Sequence, residues 1–372
     1  MRALGRTARL SLLLAAFAGC SKSSAAPADA SDGGDAEGGV PVGVTTRTWV
    51  DTTRPTPANG TAPALPSRTL VTEVWYPTSA AGVPAGETTV RDAPLAPGGP
   101  YPLVLFVHGS SASRTIYSYL TIALAQAGYV VAAADFPLTT TDTPGGPSDL
   151  HVSDQVGDLS FLCDQLEAAS KDPGDELNGA VTGASYAVVG HSTGGAVSEL
   201  AAFAGTDALV THDPRVAAVV PLSGDACMFD AAFFKSRDVP VFAIGASNDL
   251  FVRFANSGQW VFDNTSAPHL LADLVGGQHM YFTDVTFLDD AELDPVPTGP
   301  TDPLAVTLQA YGDAGECLPV PSPGTATPLD PATQHALAVQ LVTAYLDAQM
   351  RGEPAALEGL EAAGDPRVVF QQ

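Results

Sequence analysis

Basic side chains are scarce in this sequence: its 372 residues hold 16 Lys and Arg against 41 Asp and Glu, a formal charge of −25. A field of that sign repels nucleic acid and anionic lipid headgroups, so no nucleic-acid partner is expected. Cysteine is scarcer still, with four residues and no Cys-x-x-Cys pair or His/Cys cluster at metal-ligand spacing. No metal or cofactor is therefore expected. The apolar run near the N-terminus, Leu10 to Ala18, is too short to span a bilayer. No internal repeat is visible. What the chain does contain is 45% apolar residues, 36 Gly and 31 Pro, with only 15% charged. That balance predicts loops around one large core rather than a charged, disordered chain. A single domain is expected, as a monomer.

The N-terminus reads as an export signal over residues 1–19. Arg2, Arg6 and Arg9 precede the apolar run, and small residues precede Cys20. Phe17-Ala18-Gly19-Cys20 resembles a bacterial lipoprotein box, with Phe17 where such boxes usually carry Leu. The resemblance implies lipidation of Cys20 and a membrane contact through that anchor alone, facing the periplasm or the cell surface. The alternative is an ordinary secretory signal and a soluble secreted protein. Loss of residues 1–19 would make the mature chain three charges more negative. Residues 20–46 are poor in large apolar side chains and predict a flexible tether, leaving 47–372 as the catalytic domain.

If Cys20 is lipidated, three cysteines remain in an oxidising compartment, and an odd number leaves one free. Cys163 lies in the helix-like stretch VGDLSFLCDQLEAAS and is expected to stay unpaired. Cys227 and Cys317 lie in loop-like segments and are the candidate disulfide.

From Arg68 onward strand-like and helix-like segments alternate, the pattern of an α/β domain with a largely parallel sheet. The strand-like runs are RTLVTEVWYPT, PLVLFVHG, YVVAAAD, YAVVGHS, VAAVVPL, VPVFAIG and PHLLADLV. Helix-like stretches cover 114–127, 154–170 and the segment following Gly194-Gly195, and ATQHALAVQLVTAYLDAQMRG is a long closing helix that ends at Gly352.

Ser192 sits in Gly190-His191-Ser192-Thr193-Gly194, between a β-branched run and a helical pattern. A nucleophilic serine needs such a sharp strand-to-helix turn, with glycines that let the backbone pack closely. A serine hydroxyl also needs a histidine to take its proton and a carboxylate to orient that histidine. In this fold class the chain order is serine, acid, histidine. His269, His279 and His335 lie far enough beyond Ser192. His269 begins a strand and His335 falls on the last helix, whereas His279 follows Gly276-Gly277-Gln278 at the end of a strand. His279 is the expected base. Two aspartates fit the acid: Asp249, after VPVFAIG, is favoured by position, with Asp225, after VAAVVPL, as the alternative. An oxyanion needs two donors. Thr193 N–H supplies one, and Ser110, in the small-residue loop after PLVLFVHG, is the candidate for the other.

These pieces, above all PLVLFVHGSSASRTIYSYLTIALAQAGYVVAAAD with EVWYPT, VVGHSTGG, VPVFAIGASNDLF and GGQH, resemble the α/β-hydrolase superfamily. The similar group holds plasma-type platelet-activating-factor acetylhydrolases, dienelactone-hydrolase-like proteins and cutinase-like polyester hydrolases. The resemblance covers about Arg68 to Gly352. It implies Ser192 as nucleophile, His279 as base, and Ser110 with Thr193 as oxyanion hole. It leaves the acid open: acetylhydrolase-like members point to Asp225, and cutinase-like members to Asp249. Residues 289–331 form a Pro- and Asp-rich insertion. The expected activity is hydrolysis of a small-molecule, lipid or polymer ester through an acyl-enzyme. Phospholipid acetylhydrolase, polyester hydrolase and peptidase are rivals within the enzyme class, and a non-catalytic surface lipoprotein keeping the fold as a binding scaffold is the rival outside it.

Overall fold

The computed structural model describes residues 41–80, 88–205, 210, 212–290 and 326–372. Cys20, Cys317 and most of the 289–331 insertion lie outside the described residues, as does the expected signal at 1–19. Ten strands form one sheet: β1 (Val42–Asp51), β2 (Arg68–Pro77), β3 (Thr89–Arg91), β4 (Leu103–Val107), β5 (Val130–Asp135), β6 (Tyr186–His191), β7 (Val216–Leu222), β8 (Val241–Ala246), β9 (His269–Leu274) and β10 (Val368–Gln371). Their spatial order is β10-β9-β8-β7-β6-β4-β5-β2-β1-β3. The block from β5 to β9 is parallel throughout, while β2 and β10 pair antiparallel against its two sides. This is the mostly parallel, helix-flanked sheet expected.

Burial explains why the central strands are continuous apolar runs. Every residue of β4, β6 and β8 is buried, because helices cover both faces of the sheet. Those helices are α1 (Ser118–Gln126), α2 (Asp154–Lys171), α3 (Thr193–Phe203), α4 (Gly258–Asn264), α5 (Pro331–Met350) and α6 (Ala355–Ala363). Two cores result. One, on the α2 and α3 side, includes Leu105, Val188, Leu162 and Phe203; the other, on the α1 and α5 side, includes Phe106, Val189, Leu120 and Leu341.

The expected N-terminal limit of the domain moves outward. The predicted tether 20–46 gives way at Val42, where β1 begins; Val42 and Val44 are buried, and β1 pairs with β2 over its whole length from Val42↔Pro77 to Asp51↔Arg68. The segment carries few large side chains, so its strand depends on a partner far along the chain. At the other end, within the expected 47–372, the chain runs beyond the last predicted helix through α6 to β10, whose four residues pair with β9.

A buried ionic cluster fixes the β1–β2 unit to α2. Arg68 is 1% exposed and Asp158 fully buried; Arg68 Nε and Nη2 donate to the two Asp158 oxygens at 2.7 and 2.6 Å. Arg54 Nη2 adds a third bond to Asp158 at 2.7 Å while its Nε reaches Asp51 at 2.7 Å. Breaking a buried pair leaves an uncompensated charge. Asp158→Ala is therefore expected to cost about 3–5 kcal/mol, read from the urea midpoint. The double variant Arg68→Met/Asp158→Leu should lose clearly less; an equal loss would assign the effect to packing.

Candidate active site

Ser192 stands where β6 turns into α3. Its backbone, at φ 57° and ψ −123°, occupies a region that L-residues rarely adopt. The strain is tolerated because the turn is locked on both sides. Ser192 N donates to Leu222 O of β7 at 3.0 Å, and Gly195 N donates to Ser192 O at 2.8 Å. The flanking glycines are required by contact: a Cβ on Gly190 would strike the Gly194 carbonyl, and one on Gly194 the Val107 carbonyl. The Ser192 side chain is thus carried at the end of β6 beside the first-turn amides of α3, where the positive end of the helix favours negative charge.

The loop after β4 lies against this turn. A Cβ built on Gly109 would sit 3.2 Å from Ser192 Cβ. Ser110 follows it and is exposed, and Thr193 is buried at the start of α3. Two side chains hold the loop. His108 Nε2 accepts the Phe136 N–H at 3.3 Å, which leaves Nδ1–H to donate to Gly109 O at 2.8 Å. Burial pushes the His108 pKa down, so the ring stays neutral in that role. The Tyr117 hydroxyl accepts the Gly109 N–H at 3.0 Å and lies 3.1 Å from His191 Nδ1, to which its own proton is then free to go. Tyr117 thereby links the β4 loop to the residue before Ser192.

His279 lies in the turn after β9, buried between two rings. Phe251 stacks on it at a centroid distance of 5.0 Å, and His191 packs at 4.5 Å on a 45° tilt. Its Nδ1 is 2.7 Å from Asp249 Oδ2, and the other Asp249 oxygen accepts the Phe251 and Val252 N–H groups at 2.8 and 2.7 Å. Nδ1 must therefore carry the proton, leaving Nε2 as the basic nitrogen. Burial opposes the imidazolium, but Asp249 beside it, with Asp290 and Asp225 further off, outweighs that effect and raises the His279 pKa. His191 goes the opposite way: burial, then the neighbouring His279, push it well below the ordinary imidazole range.

The structure thus brings Asp249, not Asp225, to His279 Nδ1. Asp225 is buried at the start of a short 3₁₀ turn, beside Glu199 of α3. The Glu199 carboxyl is fully buried, with neither oxygen hydrogen-bonded among the described residues. Burial, then Asp225, push its pKa well above the ordinary carboxylate range, so it is held protonated. The remaining histidines are used elsewhere. His269 Nδ1 bonds Ala267 O at 2.6 Å, and His335 stacks on Tyr119 at 3.6 Å with its Nε2 3.0 Å from Thr283 O.

Phe229, Phe233 and Phe234 are buried with Phe203 in the α3-side core, whereas Phe251 stacks on His279. Cys163 is a buried free thiol, pushed up to about 12 by burial. Cys227 is disulfide-bonded, while Cys317 lies outside the described residues.

Three site residues carried no assigned role in the sequence: His108, Tyr117 and Asp290. His108 and Tyr117 act through main-chain amides of neighbouring loops, a function without a spacing signature. Asp290 falls at the edge of the Pro- and Asp-rich segment, where an aspartate reads as loop.

A family model described as platelet-activating factor acetylhydrolase, isoform II, matches residues 69–137, from β2 to just beyond β5. Among solved structures the chain is similar to a ferulic acid esterase from Streptomyces cinnamoneus, with a TM-score of 0.59 and 24% identity over 90% of this chain and 97% of that one. At that identity the likeness is one of fold. A second family model, described as the alpha/beta hydrolase family, matches residues 104–369 and so takes in the elbow at Ser192, the Asp249–His279 pair and the whole parallel block. Sheet order, strained serine turn and this match agree, and the chain belongs to the alpha/beta hydrolase family.

Proposed function

We propose that this protein is a serine hydrolase that cleaves carboxylic esters through an acyl-enzyme. The observation that carries the reading is the Asp249 Oδ2–His279 Nδ1 bond of 2.7 Å, in a base turn packed against the residue preceding the strained Ser192. Ser192 Oγ attacks the ester carbonyl carbon as its proton passes to His279 Nε2. The carbonyl electron pair moves onto oxygen, held by the N–H groups of Ser110 and Thr193. On collapse the bond to the alcohol oxygen breaks, and Nε2–H protonates that oxygen, leaving acyl-Ser192. Water then gives its proton to His279, attacks the acyl carbon and releases the acid, returning the proton to Ser192. Asp249 holds the Nδ1–H tautomer throughout.

The acetylhydrolase-type match over the β4 loop and the similarity to a ferulic acid esterase both favour an ester as substrate. The test is a fluorophosphonate probe on the exported protein, with the adduct located by mass spectrometry. An adduct on Ser192 that disappears in His279→Ala supports the reading. Folded protein that takes no label overturns it in favour of a binding scaffold.

The proton step sets a pH dependence. His279 accepts a proton only when neutral, and its pKa is raised above the ordinary 6.5. As pH falls through the raised value the base is lost, so the acid limb of kcat/KM is expected at a midpoint above 6.5. A midpoint at or below that value would contradict the carboxylate's role.

Export and lipidation at Cys20 complete the proposal. The support is the Arg-rich start, the short apolar run and the small residues before Cys20. Growth with labelled palmitate should mark wild type and leave Cys20→Ala unlabelled. Unmarked wild type would leave a secreted, unanchored enzyme.

A further inference from the structure

Asp290 lies beyond His279 in the chain and is 0% exposed. No arginine or lysine is bonded to it among the described residues. Its carboxylate instead receives three main-chain amides: Oδ2 accepts His279 N–H at 2.8 Å and Leu250 N–H at 3.1 Å, and Oδ1 accepts Met280 N–H at 2.9 Å. Burial, then the nearby Asp249, pushes the Asp290 pKa up, while the neighbouring His279 ring and the Met280 and His279 amides favour the ionised form. Charge-assisted bonds of this kind are what offset burial of a lone carboxylate.

The donors are informative. Leu250 directly follows Asp249, and His279 and Met280 form the base turn. One carboxylate is therefore bonded to both segments that carry the acid and the base. It is itself anchored: Asp290 N–H donates to Gln278 Oε1 at 2.9 Å, and the Gln278 main chain is held by the Gln334 side chain of α5 through bonds of 2.9 and 2.7 Å. The groups facing His279 are Asp249 from the turn after β8, Asp225 from the turn after β7, the neutral His191 from β6 and Asp290 from its own loop.

We infer that Asp290 is a positioning residue, a clamp that fixes the Leu250 and His279 main chains so that the Asp249–His279 bond is formed before substrate arrives, and that supplies a second negative charge behind the imidazolium. The inference rests on the proposed roles of Ser192, His279 and Asp249. A misplacement of about 1 Å in such a pair costs on the order of 10²-fold.

The test compares wild type, Asp290→Asn and Asp290→Glu as exported proteins. It measures kcat and KM for p-nitrophenyl acetate from acidic to alkaline pH, and the His279 Cε1–H titration by NMR. Asp290→Asn is expected to lower kcat by about 30-fold with KM within about twofold. It should also move the kinetic and NMR midpoints down by about half a pH unit. Asp290→Glu keeps the charge and displaces it, so kcat should fall while the midpoint stays. A kcat within about twofold of wild type in the folded Asn variant with an unmoved midpoint overturns the clamp. If the Asn variant does not fold, a kcat within about twofold of wild type in Asp290→Glu overturns it. The NMR titration needs no turnover. A shifted midpoint in protein that never hydrolyses ester would sink the functional reading while leaving the clamp in place.

Discussion

Replacing Ser192 by alanine is expected to lower ester turnover by about 10⁶-fold while leaving the thermal unfolding midpoint within a few degrees of wild type. The two halves of that expectation come from different features of the turn. Turnover depends on one atom, Oγ, for which the Asp249–His279 pair and the α3 amides have no substitute; what survives is catalysis by binding and by the oxyanion donors alone. Stability depends on the backbone, which the substitution leaves with the same Cβ. The positive φ is imposed by the Leu222 and Gly195 hydrogen bonds and by glycine contacts that alanine at this position does not touch. His279→Ala should match the loss in turnover, because residues acting as one unit do not contribute additively. Ester turnover of Ser192→Ala within tenfold of wild type would assign the chemistry to another group.

The second large effect separates the two aspartates. Asp249→Asn is expected to lower kcat by about 10⁴-fold. The amide offers an N–H as readily as an oxygen to His279 Nδ1, and the Phe251 and Val252 amides already claim the remaining acceptor. The ring is then free to place its proton on Nε2, where it cannot take one from serine. Asp225→Asn should stay within about tenfold of wild type, since that carboxylate acts on His279 only as a more distant charge. Kinetics on the two variants at one alkaline pH checks the ranking, and the reverse order would move the acid to the end of β7.

The parallel block was legible because strands buried on both faces must be apolar at every position, as in LVLFV and VFAIGA. The Ser192 turn was legible because its glycines are dictated by contact, and Asp249 with His279 because side chains that pair directly must stand at strand ends in a fixed chain order. What escaped has a common cause. β1 and β10 are strands through their partners: Val42–Asp51 has a polar centre from Thr45 to Thr48, and Val368–Gln371 is only four residues long. Tyr117, His108 and Asp290 work by holding main-chain amides, which every residue possesses, so nothing about the held partner appears in its identity. Asp284 is a further case: it accepts the Ser118 and Tyr119 N–H groups and starts α1 from 166 and 165 positions away, so the helix begins at Ser118 rather than at the expected Arg114.

The margins of the sheet bear on how the protein behaves at high concentration. Thr89–Arg91 and Val368–Gln371, the outermost strands, are three and four residues long. Arg91, more than half exposed and paired with Glu73, puts a guanidinium on one of them. Such short edges give another chain few amides and carbonyls on which to build, and the charge penalises the approach. β3 covers only Val42–Val44 of β1, so Thr45–Asp51 is the stretch of border, among the described residues, where a second chain would find the most unpaired backbone.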